Sequence, residues 1–267
     1  MEKLLLGCDP EMFLHSVDAK IAMPVSAIGL IGGSKEEPKP IDAIGHAVQE
    51  DNVAVEFCIP PASDVLQWDT SITFVMDHIK EMVKPLGLTI NISASEIFPD
   101  TELDNPKAKE FGCDPDFNAY TLEMNPKPYA DNPNLRSAGG HIHFGNDLLK
   151  DYTTAVNCIK AADLFLGIPS VLLDADTRRR ELYGKAGCFR IKPYGVEYRT
   201  LSNFWLKTEA TRKWAFEQAH RAFNAVVSGH RLFEDPRFMP IIRRTIDQND
   251  KEMAKKLVVM FDLSTEV

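Results

Sequence analysis

The stretch that most constrains this chain is Ala138-Gly139-Gly140-His141-Ile142-His143-Phe144-Gly145. In an extended strand side chains alternate between faces, so His141 and His143 point one way and Ile142 and Phe144 the other. The flanking glycines let another backbone or a ligand approach closely. Such a strand needs a sheet that is apolar on one side only. Alone, the pair also fits two half-exposed histidines with no role. The other strands decide between these readings.

Those strands repeat the design. Residues 4–14 read as one strand, with Leu4, Leu6, Cys8, Met12 and Leu14 on one face and Asp9 and Glu11 on the other. Pro10 cannot donate to a ladder, so this strand is an edge or is bulged there. A solvent-facing acidic strand is the simpler alternative. Residues 49–61 contain a strand that sets Val53, Val55, Phe57 and Ile59 against a face where Glu56 stands between Ala54 and Cys58, and Pro60-Pro61 stops it. Residues 188–193 and 195–201 read as a hairpin. Arg190 and Lys192 share one of its faces, as do Glu197 and Arg199, a pair that also fits plain mutual neutralisation.

Helical spacing covers 63–85, capped by Ser63 or Asp64 and ended by Pro85-Leu86-Gly87, with a strand over 88–93. Residues 99–137, rich in Pro, Asn and Asp, form a long excursion in which Phe111–Asp116 echoes Gly7–Glu11. A helix over 147–173 is kinked or interrupted at Pro169, and the chain reads helical from about 207 to 267. Arg178-Arg179-Arg180 suits a solvated helix face or an anion site. Gly32-Gly33-Ser34-Lys35 has the turn chemistry to cradle a phosphate but lacks the full phosphate-loop pattern. The expected class is α+β in a single domain over 1–267: an antiparallel sheet with helices on one face and a cleft on the other.

A formal charge of −9 over 267 residues argues against a nucleic-acid binder. No apolar run looks long enough to cross a bilayer. The five cysteines are odd in number and never paired as Cys-x-x-Cys, which suits reduced thiols in a cytoplasm. A cleft that gathers Asp9, Glu11, Glu56 and Glu197 is unfavourable unless cations bind. Carboxylates with one or two imidazoles suit Mg²⁺ or Mn²⁺, and such ions beside arginine and lysine are what a nucleoside triphosphate needs.

In their order, Gly7-Cys-Asp-Pro-Glu11, Gln49–Glu56, Gly139-Gly-His-Ile-His143, Tyr183-Gly-Lys-Ala-Gly187 and Gly195-Val-Glu-Tyr-Arg199 resemble the glutamine synthetase-like carboxylate–amine ligase superfamily. They also resemble its glutamate–cysteine ligase branch, and most closely the phage-encoded COOH–NH₂ ligase (amidoligase) group. The resemblance covers about residues 4–205. It implies a glutamine synthetase-like catalytic domain: a curved antiparallel sheet, helices on its convex face and a funnel-shaped site on the other.

It further implies an ATP-dependent ligase that joins a small-molecule or peptide carboxylate to an amine through an acyl phosphate. By the same resemblance Asp9, Glu11, Glu56, His141 and Glu197 hold Mg²⁺ or Mn²⁺, and His143 lies nearer the nucleotide. Arg199 falls on the phosphoryl group; on their own charge and placement, Arg190 is expected beside it and Arg180, Lys35 and Lys192 on the nucleotide. Asp stands at position 9 where the family has Glu, which shortens its reach. The surroundings of Glu50 match loosely, and the large N-terminal domain of glutamine synthetase has no counterpart. Two other classes stay open: a metal-dependent hydrolase using the His-x-His strand, and a non-catalytic binding or virion protein on a ligase scaffold.

Overall fold

The structure is a computed structural model and describes residues 3–17, 22–109, 116–126 and 131–267. β1 (Leu5–Cys8) runs through Asp9-Pro10 into β2 (Glu11–Ser16). Next come β3 (Pro24–Val25), β4 (Lys39–Pro40), β5 (Ala47–Asp51), β6 (Ala54–Cys58) and α1 (Val65–Val83). β7 (Leu88–Asn91), β8 (Ser95–Ile97), α2 (Pro106–Lys109), β9 (Phe117–Asn118), β10 (Leu135–Ser137) and β11 (Ile142–Gly145) follow. The rest comprises α3 (Tyr152–Ala162), α4 (Ile168–Leu173), α5 (Arg178–Leu182), β12 (Cys188–Lys192), β13 (Gly195–Tyr198), α6 (Glu209–Val227), α7 (Met239–Asp247) and α8 (Lys251–Phe261).

The fold is α+β with antiparallel sheets, as expected, but the strands do not form one sheet. The first sheet has the order β1-β11-β13-β12-β9; the second has β3-β2-β6-β5-β4, with β7 also on β2; β10 and β8 pair separately. The single strand expected over 4–14 is two, because the chain changes sheets at Asp9-Pro10. Pro10 has no N–H for a ladder, and its carbonyl accepts instead from the Phe57 amide at 3.4 Å. The strand expected within 49–61 is half of a hairpin. β5 and β6 pair from Ala47↔Cys58 to Asp51↔Ala54, and Asn52 takes φ 52° at the turn, a conformation Asn tolerates.

Helices pack on the apolar face. Ile142, Phe144, Val196, Tyr198 and Phe189 share one core with Ala155, Ile159 and Ala162 of α3. Asp64 caps α1 by accepting from the Gln67 amide, and Gly87 follows the helix with φ 69°. The long helix is interrupted as Pro169 predicts: a π turn over Asp163–Gly167 separates α3 from α4. One expectation is corrected here. Tyr152–Leu173 is long and apolar enough to cross a membrane by length and composition, but 78% of its apolar window is buried inside the protein, as in a core helix. The C-terminal helices stack on α4 through a second core that includes Ile168, Val171, Ile242, Ile246 and Leu257.

Candidate active site

Strand register builds the site. Gly7 lies opposite His143, His143 opposite Glu197, and Glu197 opposite Arg190, so one row crosses β1, β11, β13 and β12 on the face away from the helices. Gly7 carries no side chain beneath the His143 ring. Asp9, just past the end of β1, faces both imidazoles: its Oδ1 lies 3.0 Å from His143 Nε2 and 3.3 Å from His141 Nδ1. Tyr194 holds His143 from the other side, with its hydroxyl 2.8 Å from Nδ1 and its ring stacked on the imidazole. Glu197 is fully buried. Lys192 Nζ reaches its Oε2 at 2.8 Å, and Arg199 Nη1 donates to its Oε1. Arg199 also approaches His141 Nδ1 at 3.3 Å and Asp116 at 3.5 Å.

A second group forms in the other sheet. Glu11 on β2 lies directly opposite Glu56 on β6, and the hairpin register brings Asp51 to the same face. One oxygen each from Glu11, Asp51 and Glu56 lie within 4.8 Å of one another; so do ligand atoms of Asp9, His143 and Glu197. The Gly139 amide donates to Glu11 at 2.7 Å, and Gln49 donates to Glu56 at 3.0 Å. Of the expected metal ligands, Glu11 and Glu56 therefore fall in one group and Asp9 and Glu197 in the other, where the clustered imidazole is His143; His141 stands beside it, with Nδ1 3.3 Å from Asp9 and 3.6 Å from Glu197. Asp9, with the shorter side chain, nonetheless sits within reach of its partners.

The electrostatics separate the roles. Burial pushes the Glu11 carboxyl up and the Asp51 charge adds to it, while the Gly139 amide and Arg179 and Arg199 pull back; the result is about 7. Burial, then the Arg199 charge, hold His141 down to about 4, so at neutral pH it is the uncharged imidazole that metals require. Burial alone would lower His143, but the charge and hydrogen bond of Asp9 win and raise it. For Asp9, burial is outweighed by His143 and His141, which hold it well below the carboxylate range. Burial and Asp9 push Glu197 up, yet Arg199, His141 and His143 bring it to about 2.

Arg190 and Lys192 stand on the site face beside Glu197. Arg180 does not: it is buried in the helical layer, with Nη2 on the Ser170 hydroxyl at 2.8 Å. Its neighbour Arg179 faces the site instead. One residue of a helix turns the side chain by about 100°, so only one member of the triple-arginine run can face inward there. Lys35 is exposed on its loop and lines neither cavity beside the two groups. Two of the four amides of the expected cradle are engaged within the protein: Glu50 accepts from Gly32, as from Gly29 and Ile31, and the Ser34 amide donates to the Glu37 carbonyl. Asp51 and Tyr194 were not singled out from the sequence. The Asp51-Asn52 turn signal could have found the first, whereas Tyr194 lies in a hairpin turn with no periodicity to mark it. The echo of Gly7–Glu11 at 111–116 lies outside the described residues except for Asp116.

Two cavities flank the groups. A narrow cleft of about 70 Å³ has Glu11, Asp51, His141, Arg179 and Arg199 on its walls. A wider, mostly apolar groove of about 580 Å³ runs past Leu5, Cys8, Ile59, His143, Pro193 and Tyr194. Residues 132–262 match the family model described as phage phiEco32-like COOH.NH2 ligase-type 2. That span includes the histidines, Arg179 and the β12–β13 hairpin; the acids of β2, β5 and β6 lie before it. No curated protein matches the chain.

Proposed function

We propose, from the premise that this chain belongs to the phage phiEco32-like COOH–NH₂ ligase family, that it uses ATP to join a carboxylate to an amine through an acyl phosphate. The observation that supports this most is the pair of acid groups with Arg199 beside them, bonded to Glu197 in one and acting electrostatically on Glu11 in the other. The donor sets fit hard divalent ions. Three clustered carboxylates are oxygen-only, which suits a hard divalent ion, and Asp51 adds to the burial that raises Glu11. Glu11, Asp51 and Glu56 would hold one Mg²⁺ or Mn²⁺, and Asp9, His141 or His143 and Glu197 another. Such ions, when bound, offset charge on phosphate oxygens.

The chain's own residues supply the rest. Arg199, with Arg190 and Lys192 beside it, offsets charge on the moving phosphoryl group. His143, braced between Asp9 and Tyr194, borders the groove that we assign to the nucleotide. The acid's oxygen forms a bond to the γ-phosphorus as ADP leaves. The amine then bonds to the acyl carbon as phosphate leaves, and the nitrogen sheds a proton. We read the two sheets as a glutamine synthetase-like frame, with groove and cleft as the mouths of one funnel. Substrates are small or peptide acids and amines, without nucleic acid or membrane, in a cytoplasm that suits free Cys8, Cys58, Cys158 and Cys188. The test is phosphate release from Mg·ATP across pools of acids and amines, with Glu56→Gln as control. Turnover that needs both ATP and Mg²⁺ and is lost in the variant is expected. ATP-independent turnover with tightly bound zinc would make the protein a hydrolase and overturn the reading.

A further inference from the structure

The cleft beside Glu11 contains a buried cation with no carboxylate within ion-pair distance among the described residues; Glu11 acts on it only at longer range. Arg136, on the same cleft, commits its guanidinium to the carbonyls of Ala108, Pro133 and Leu135. Arg199 is on Glu197. Arg179 is 4% exposed; its Nη1 donates to the Thr200 carbonyl at 3.1 Å and its Nη2 to the Arg199 carbonyl at 3.4 Å. No carboxylate lies within ion-pair distance of it among the described residues, and its Nε is a buried donor without a hydrogen-bond partner there. A buried guanidinium bonded only to carbonyls, with its nearest charge out of ion-pair reach, is incompletely compensated for its lost hydration.

The seat is built for it. Gly184 takes φ +68°, and a Cβ there would overlap Arg179 Nη1 and come within 2.6 Å of the Thr200 carbonyl. The Tyr183-Gly184 turn is thus shaped around this one guanidinium. Room in the cleft is about 70 Å³, well short of the roughly 300 Å³ at which small-molecule pockets begin. It suits a compact anion at the end of a larger molecule, not a nucleotide.

We propose that Arg179 is a specificity-determining residue that binds a carboxylate of the acid substrate in this cleft, apart from the nucleotide groove. The assignment rests on the ligase reading for what the carboxylate is for, but not for its binding. A carboxylate and a phosphoryl group share the oxyanion chemistry that a guanidinium recognises, so the experiment separates them. Full-length wild type, Arg179→Gln and Arg179→Lys are titrated calorimetrically with acetate, glutarate, L-glutamate and inorganic phosphate. Each is also titrated with Mg²⁺ plus a non-hydrolysable ATP analogue.

At least one carboxylate should bind wild type saturably and weaken about tenfold or more in Arg179→Gln, the loss expected for one charge-assisted contact. The loss should be smaller in Arg179→Lys, which keeps the charge without the planar fork. Affinity for the ATP analogue should stay within about twofold in both variants, which a merely structural collapse next to Arg199 would not allow. Three results overturn the proposal: no carboxylate binding to wild type, equal carboxylate affinity in wild type and variants, or phosphate binding that depends on Arg179 where carboxylate binding does not. If Arg179→Gln does not fold, Arg179→Lys alone gives these readings. Loss of analogue binding by wild type, with Arg179-dependent carboxylate binding intact, would instead remove the ligase reading and leave this one standing.

Discussion

Asp163→Asn should flatten the dependence of stability on pH. Asp163 is wholly buried at the π turn between α3 and α4, where it accepts from the Tyr198 hydroxyl at 2.8 Å. Burial, with the Asp247 charge adding to it, outweighs the hydrogen bonds from Tyr198 and Tyr120, and the carboxyl sits at about 7. The folded state therefore favours the protonated form. Its contribution is whole below the ordinary carboxyl value near 4 and is lost as pH rises through about 7. That gap corresponds to roughly 4 kcal/mol, present in acid and missing in weak base. Asn keeps an acceptor for Tyr198 but cannot ionise. Urea unfolding in metal-free buffer from about pH 4.5 to 8.5 measures the difference. Wild type should lose stability relative to Asp163→Asn across that range by most of this amount. Glu11 shifts the same way in both proteins and cancels in the comparison. Parallel profiles, within about 1 kcal/mol, would mean that Asp163 is ionised in the fold and that the tie between helices and β13 is ionic.

Three further outcomes follow from the site. Arg199→Lys should keep Mg·ATP affinity within a few-fold but lose on the order of a hundredfold in single-turnover ATP cleavage. Glu197→Gln should weaken binding itself and also destabilise the fold by about 3–5 kcal/mol, since it leaves Lys192 and Arg199 without their shared carboxylate. Equal binding losses in the two variants would make Arg199 a binding or structural residue. Asp51→Asn should weaken Mg²⁺ affinity by about tenfold or more in calorimetry, as a third charged oxygen ligand would, and unchanged affinity would remove Asp51 from the cation set.

Residues governed by local alternation are legible in the sequence. His141, His143, Glu197 and Arg199 lie where a period of two puts them, and the Val65–Val83 helix has the cap and stop its ends specify. Residues placed by distant parts of the chain are not. Arg178, Arg179 and Arg180 are chemically identical, and only the packing of α5 selects Arg179 for the cleft and Arg180 for Ser170. Lys35 sits in a loop whose amides look available in sequence, but Glu50, on the outer side of β5, engages those of Gly29, Ile31 and Gly32, and Glu37 takes that of Ser34. The placement of Asp51 follows from the turn at Asn52, because that hairpin fixes which side chains of β5 share a face with Glu56.

The sheet change at Asp9-Pro10 explains why two acid groups form where one was expected. In a continuous strand Asp9 and Glu11 would stand on one face about 7 Å apart, both competing for a single cation. Pro10 breaks the ladder, so Asp9 stays with His143 in the first sheet while Glu11 pairs with β6 in the second. Each acid then gains its own partners, and a covalent link of only one residue fixes the separation of the two groups. Arg199 and Arg179 both act on Glu11 electrostatically, and Arg199 also binds Glu197, so Arg199 links the two groups. In the proposed reaction a phosphoryl group moving between nucleotide and acid would need charge offset on both sides of its path, and a one-residue link between the two sheets keeps the two acid groups close enough to supply it.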